Sequence, residues 1–484
     1  MRWWRLLAVA GLLLAAGCGP EEAEPSSEAS EEPPAEGPAL PSDFTPPEAP
    51  RVSPLPSPTA SLLHRLQGLA EAEALVKVTG GAAAAATIVG AEGRFEVDLR
   101  LRPHRSSTLF VTARDAAGNV SDATLLEVTH RADAPATEPG GPSSPVVEPL
   151  PGSTRRLAVT VVGSTGPWHE IEIEGGEVVG RGTADEAGSF RVGVALIPGT
   201  ANELRVTAID PAGRRSEPTS APVSQDPSGA RTRYPIILHH GYMGFRELLG
   251  IEYFWHVPAH LEEHGFDVRV TTVPPVDTVH ERSLELRDSI REITSGKVNL
   301  IGHSMGGLDI RYVVGALGMA RQAASITTIA TPHHGSTVAD LALGLTASGP
   351  LRGLALDFLL RRMGLTLAGA RDLTVQRTRD WFNENIKDAP GVPYYSWSFV
   401  SDPFGLETGH KLDPLLLLPH GILNDHEGPN DGIVSVDSAR WGESLGVLAA
   451  DHLGEVGHLL GLTDSFDHLA FFLGEAERLE RDGL

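Results

Sequence analysis

The sequence predicts a multidomain protein: two all-β sandwiches, then a C-terminal α/β domain with a mostly parallel sheet and helices on both faces. Two observations carry that expectation. The stretch "GRFEVDLRLRPHRSSTLFVTARDAAGNVSD" from Gly93 is echoed by "GSFRVGVALIPGTANELRVTAIDPAGRRSE" from Gly188, so that Phe95 matches Phe190, Pro103 matches Pro198 and Gly118 matches Gly213 at a constant offset of 95. From Tyr234 onward, apolar runs such as "PIILHH" and "VNLIGH" alternate with helical stretches, the pattern of a parallel sheet covered on both sides. A chain of 484 residues with 41% hydrophobic content can fill more than one core.

The elements follow in order. Arg2 and Arg5 precede the apolar run Leu6 to Ala16, too short to span a bilayer as a mature helix but suited to a secretory signal over residues 1–17. The run ends in "LAAGC", and Cys18 is the only cysteine. This stretch resembles the lipobox of bacterial lipoproteins, with Ala15 where that pattern usually has Leu. The resemblance implies cleavage before Cys18, its acylation, and, with Gly19 rather than aspartate next, an outer-membrane or cell-surface location. The alternative is an ordinary signal with a chance cysteine near its end, giving a secreted protein. An acylated Cys18 leaves no thiol for a disulfide or a thiolate metal site. Residues 18–60 follow as an acidic, Pro-rich tether; between Glu21 and Pro50 there is no Lys or Arg. Lys+Arg 39 against Asp+Glu 63 gives a net charge of −24, which argues against a nucleic-acid partner because phosphate binding needs clustered positive charge.

In each copy of the repeat, alternating apolar positions (Leu109, Val111, Ala113; Leu204, Val206, Ala208) lead into an Asp-x-Ala-Gly turn, as in a half-buried antiparallel hairpin. The pair resembles bacterial Ig-like modules over roughly Leu62 to Gln225. The expected boundaries are residues 61–133 for the first sandwich, 134–152 for a Pro/Gly-rich linker and 153–226 for the second.

The α/β domain, residues 232–484, carries the chemistry. In "VNLIGHSMGGLDIRYV", Gly302 and Gly306 flank Ser304; Val298 to Ile301 read as a strand, and Leu308, Tyr312, Val313 and Leu317 follow at helical spacing. Gly-x-Ser-x-Gly in that context makes a sharp strand-to-helix turn that lifts a nucleophilic serine clear of the sheet. Such a serine needs a general base and an acid that orients the base. "PNDGIVSVDSARWG" offers Asp431 at a strand entry and "AADHLGEVGHLLG" offers His452; spacing alone leaves Asp413, Asp425 and Asp437 as rival acids and His420, His426, His458 and His468 as rival bases. Backbone N–H groups must meet the developing oxyanion: Met305, after the serine, is one candidate and Tyr242, in "ILHHGYMGF", the other. His240 in that loop reads as structural.

Together, "RYPIILHHGYMGF", "GIEYFWHVP", "KVNLIGHSMGG", "RYVVGAL", "TTIATPHHGS", "YYSWS", "NDGIVSVDSARWGE" and "DHLGEVGHLLGL" resemble the true bacterial triacylglycerol lipases of the Pseudomonas and Burkholderia type, within the α/β-hydrolase superfamily, from about Arg233 to the C-terminus. The resemblance implies a Ser304, Asp431, His452 triad, oxyanion donors on Tyr242 and Met305, and hydrolysis of acylglycerol esters through an acyl-enzyme at a lipid interface. It also implies a lid near residues 338–370 that exposes Leu354, Leu356 and Leu359 when open, and it raises the question of a dedicated folding chaperone. Departures are specific. Asp437 stands at one position of the family's disulfide. Asp413 matches the first aspartate of its structural calcium site, but Gly454 stands at the second and His458 replaces a side-chain ligand. Calcium prefers several oxygen ligands including carboxylates, so no tight calcium site and no required cofactor are expected. A short-chain carboxylesterase, a phospholipase or a polyester depolymerase would use the same triad; from another class, the protein would be a surface binder acting through its sandwiches.

Overall fold

A computed structural model describes the chain from residue 45 to the C-terminus, except residues 60–61, 83, 104, 116–117, 131–140, 186, 211–212, 230, 243–246, 249–250, 344–367 and 459–465. The signal, Cys18, most of the tether and the central part of the expected lid, with Leu354, Leu356 and Leu359, lie outside the described residues.

Each repeat folds as two packed sheets, antiparallel except where Ser153–Thr154 pairs parallel with Thr219–Gln225 at an edge of the second module. In the first module, Arg51–Val52, Leu63–Leu69 and Arg94–Arg100 face a sheet of Ala85–Ile88, Leu75–Thr79, Ser106–Arg114 and Thr124–Thr129. The alternation seen in the sequence becomes burial: Leu109, Val111 and Ala113 are fully buried, as are Leu204, Val206 and Ala208 in the second module, and Phe95 and Phe190 occupy matching core positions. Burying one such phenylalanine is worth about 1.5–3 kcal/mol. The Asp-x-Ala-Gly turns also match. Asp115 Oδ1 accepts from Asn119 N, and Asp210 Oδ1 from Arg214 N. Gly118 and Gly213 take φ of +93° and +80°, which a residue without Cβ adopts freely. The observed strands reach beyond the expected boundaries. Arg51–Val52, read as tether, pairs with Leu69 and Gly68, and Val146–Val147, read as linker, pairs with Ser164 and Gly163. Two-residue strands carry too little alternation to be seen in sequence.

The C-terminal domain is a six-stranded parallel sheet. Its strands are β1 (Ile236–His239), β2 (Val268–Thr271), β3 (Val298–His303), β4 (Ala323–Ile329), β5 (Tyr394–Val400) and β6 (Glu443–Ala449), ordered β2-β1-β3-β4-β5-β6. Every residue of β1, β3 and β4 is buried, as expected of strands covered on both faces. Helices α1 (Val257–Glu263), α2 (Val279–Ile293), α3 (Met305–Gly315), α4 (Thr337–Ala342), α5 (Leu417–His426) and α6 (His468–Arg481) accompany it. The order reverses between β1 and β3, and ligands of such sheets bind in the crevice at the strands' carboxyl ends there. The loop that carries Gly241 and Tyr242 leaves β1, and Ser304 follows β3.

Helix α2 begins with an N-cap: Thr278 Oγ1 accepts from Glu281 N at 3.2 Å, and the Thr278 hydroxyl donates to the Glu281 carboxylate at 3.4 Å. The second module meets this domain at Asp267, whose buried carboxylate accepts from Leu157 N at 2.6 Å and from Arg156 Nη1 at 3.2 Å. A buried charge is tolerated only with such partners.

Candidate active site

The turn after β3 holds Ser304 at φ 54° and ψ −132°, a conformation that costs a non-glycine residue of order 1–3 kcal/mol. The flanking glycines make it possible. A Cβ on Gly302 would sit 2.7 Å from Gly307 N, and one on Gly306 would sit 2.7 Å from the carbonyl oxygens of both His239 and His240. Leu308, Tyr312 and Val313 on α3, and Leu317 just beyond it, are buried, so the apolar face read from their spacing anchors the helix under the serine.

The structure brings Ser304, His452 and Asp431 into one hydrogen-bonded row. Ser304 Oγ lies 3.0 Å from His452 Nε2, and His452 Nδ1 lies 2.9 Å from Asp431 Oδ2. The remaining Asp431 oxygen accepts from Ile433 N at 2.8 Å and Val434 N at 2.7 Å, and His452 N donates to the Asp431 carbonyl. Asp431 is not at a strand entry. It sits in a tight loop after α5, where Gly432 takes φ +101° and the aspartate side chain caps the turn itself. The rivals go elsewhere. His420 Nε2 faces the Ser401 carbonyl, His426 Nδ1 its own helix at Ile422, and His468 Nε2 the Trp255 carbonyl. Exposed Asp437 pairs with Arg440.

The loop after β1, where the sequence places an oxyanion donor, is fixed from below. A Cβ on Gly241 would meet Ser304 Cβ at 2.7 Å, so this loop reaches Ser304 only because residue 241 is glycine. Arg282, fully buried, donates to the carbonyls of His240 at 2.8 Å and Gly241 at 3.2 Å, and its Nε to Asp309 Oδ2 at 2.8 Å. His240 accepts from Val273 N at Nε2, and burial keeps its imidazole neutral, its pKa well below the ordinary value, in keeping with a structural role. Tyr242 follows in the loop, its hydroxyl pushed up to about 12 by burial. Met305 opens α3, where backbone N–H groups have no helical acceptor.

Behind this row lies a second one that sequence reasoning did not find. Glu455 Oε2 is 2.9 Å from His303 Nε2, His303 Nδ1 is 2.7 Å from Tyr253 Oη, and that oxygen accepts from Gly241 N at 3.1 Å. Burial drives the His303 pKa well down, so the ring is neutral. Burial first, then the negative charge of Asp431, drives the Glu455 pKa well above the carboxylate range. His303, His452 and Glu455 are close enough to hold a metal ion. Their ring nitrogens, however, are committed to Glu455, Tyr253, Ser304 and Asp431. The calcium position fits no better. Asp413 Oδ1 accepts from Leu415 N, and the neighbouring Asp451 carboxylate accepts from the N–H groups of Asp413, Leu453 and Gly454, with the His410 ring 3.6 Å away. Backbone donors and an imidazole stand where calcium would need oxygens. His458 packs edge-on to Tyr253, its pKa lowered by burial to about 4.

The triacylglycerol lipase of Vibrio cholerae is 32% identical to this chain over 299 residues, which is 55% of this chain and 94% of that protein. The chain belongs to the triacylglycerol lipase family. It is an enzyme, a lipase that hydrolyses ester bonds. Its similarity extends to the triacylglycerol lipase of Burkholderia plantarii, 29% identical over 318 residues covering 53% of this chain and 88% of that one. Among solved structures, the Staphylococcus hyicus lipase is 18% identical, with a TM-score of 0.43 over 53% of this chain and 98% of that one. The bacterial Ig domain family matches residues 47–130 and 147–225, so the lipase also carries two Ig-like modules. Among the described residues, no helix is long and apolar enough to cross a membrane.

Proposed function

We propose that this lipase cleaves acylglycerol esters with Ser304 as nucleophile, His452 as general base and Asp431 as the acid that orients the imidazole. The row Ser304–His452–Asp431, at 3.0 and 2.9 Å, is the observation that carries the reading. His452 Nε2 takes the Ser304 proton as Oγ attacks the ester carbonyl. The backbone N–H groups of Tyr242 and Met305 receive the oxyanion, and His452 passes the proton to the departing alcohol. Water, deprotonated by the same nitrogen, then releases the fatty acid from the acyl-enzyme. No metal takes part in these steps. The protein is exported and held at a cell surface through acylated Cys18, with the tether spacing the folded part from the membrane.

The deciding experiment is hydrolysis of p-nitrophenyl esters from butanoate to palmitate by wild type and Ser304→Ala. Loss of about 10⁴-fold or more in kcat, with the long chains the better substrates of the wild type, is the expected result. Cleavage of short esters alone would keep the triad and replace the acylglycerol reading by a short-chain esterase. Exhaustive chelation is expected to leave the wild-type rate unchanged; a loss restored by added calcium would refute the metal-free reading.

A further inference from the structure

Both Ig-like modules touch the lipase domain along one helix, α2. At its N-terminal end, Lys77 of the first module pairs with Glu281 at 2.8 Å. The Val120 carbonyl of the same module accepts from Arg377, which is 5% exposed; Arg377 Nε pairs with Asp372 Oδ1, and Asp372 Oδ2 accepts from Val279 N, the first residue of the helix. At the C-terminal end, Thr160 Oγ1 of the second module donates to the Glu292 carbonyl at 2.7 Å, and Ser295 Oγ lies between Ala195 N and the Val178 carbonyl. Gly193 faces the backbone of Ile293 and Thr294 so closely that no Cβ would fit.

The inward side of the same helix bears on the reaction. Glu281 faces the first module, and the next residue, Arg282, holds the carbonyls of His240 and Gly241. Ser283 adds a bond to the Asp309 carbonyl at 3.1 Å. Gly369, three residues before Asp372, donates to the Val276 carbonyl and packs on the Tyr242 ring. A shift in the first turn of α2 therefore moves the guanidinium that sets the oxyanion loop, and catalytic donors displaced by a fraction of an ångström lose much of their effect.

We propose that the two Ig-like modules splint α2 at both ends and thereby position the oxyanion loop, with Lys77 as a positioning residue for the reaction. This rests on the reading of Tyr242 and Met305 as oxyanion donors. The modules are then part of the enzyme's rigidity rather than a passive spacer.

The test uses the full chain carrying Lys77→Glu, Lys77→Arg or, at the other end, Gly193→Val. Three quantities are measured: kcat and KM on p-nitrophenyl butanoate, per serine titrated with a fluorophosphonate, and inhibition by an alkylboronic acid, whose tetrahedral adduct places an oxygen in the oxyanion site. Lys77→Glu sets two carboxylates against each other and is expected to lower kcat about five- to ten-fold, the range of coupling through packed networks, with KM little changed. The boronate Ki should rise by the same factor. Lys77→Arg keeps the pair and should stay near wild type, while Gly193→Val should reproduce the loss. Wild-type kcat and Ki in Lys77→Glu would overturn the proposal, as would a loss seen in KM or in thermal stability but not in boronate binding. Arg282→Ala separates the two readings. If it alone weakens kcat and boronate binding, the splint is wrong and the oxyanion assignment stands; if it leaves both unchanged, Arg282 does not set the loop and the splint falls, whereas failure of the boronate to inhibit the wild type would overturn the oxyanion assignment itself.

Discussion

Two carboxylates lie beside the His452 ring, and the protein treats them in opposite ways. Asp431 is 2.9 Å from Nδ1 and Glu455 is 3.9 Å from the same atom; both are buried. Asp431 additionally accepts from two backbone N–H groups, those of Ile433 and Val434. Glu455 has the neutral His303 ring as its partner, and burial together with the charge of Asp431 keeps it protonated. Proximity to His452 therefore does not by itself mark out Asp431, the acid of the proposed triad. What selects it is the supply of donors that pay the desolvation cost of a negative charge, and the loop 430–434 supplies them only to Asp431.

The strongest way to break that comparison is Asp431→Asn. The amide keeps the shape but cannot accept the Nδ1 proton as a charged group, so the imidazole loses both its tautomer and its stabilised cation. A fall in kcat of about 10³–10⁴-fold is expected, with KM nearly unchanged. Activity within about ten-fold of wild type would mean that Glu455 serves as the acid, and that the two carboxylates do not differ in role. Glu455→Gln should cost far less, because it replaces one neutral group by another; its rate should stay within about ten-fold of wild type.

The same contrast explains what could be read from the sequence. Ser304 announces itself because the turn it needs imposes glycines at 302 and 306. The repeat is visible because Leu109, Val111 and Ala113 and their counterparts Leu204, Val206 and Ala208 keep one alternation. The acid and base are narrowed only by family resemblance, since neither aspartate nor histidine leaves a local pattern, and the turn around Asp431 reads as a strand because "GIVSV" is rich in β-branched residues. Glu455, Tyr253 and Arg282 left no signal. A glutamate three residues after a histidine, or an arginine in a helix, reads as solvated surface. Only contacts spanning 152 residues, from Glu455 to His303, or 42, from Arg282 to His240, make them interior. The two modules' hold on α2 is invisible for the same reason: Lys77 and Glu281 are 204 positions apart.

The smallest effect is the most specific to Glu455. Its folded pKa is raised above the unfolded value of an ordinary carboxylate near 4.5, so the folded state binds the proton more tightly than the unfolded chain. The sign follows: stability is fully present below the ordinary carboxylate range and is lost as pH rises through that range toward the raised folded value. Wild-type enzyme should therefore lose thermal stability as the pH rises above about 4.5, partly through this group. Glu455→Gln carries no titrating proton at that position and should show a flatter profile, with the difference visible as a shift of about 2–4 °C per kcal/mol in the Tm of the lipase-domain transition. Relative to wild type, the variant gains as the pH rises and loses as it falls. Parallel profiles for the two proteins would mean that Glu455 is ionised in the folded enzyme, and that Asp431 and Glu455 differ in distance from the base but not in charge.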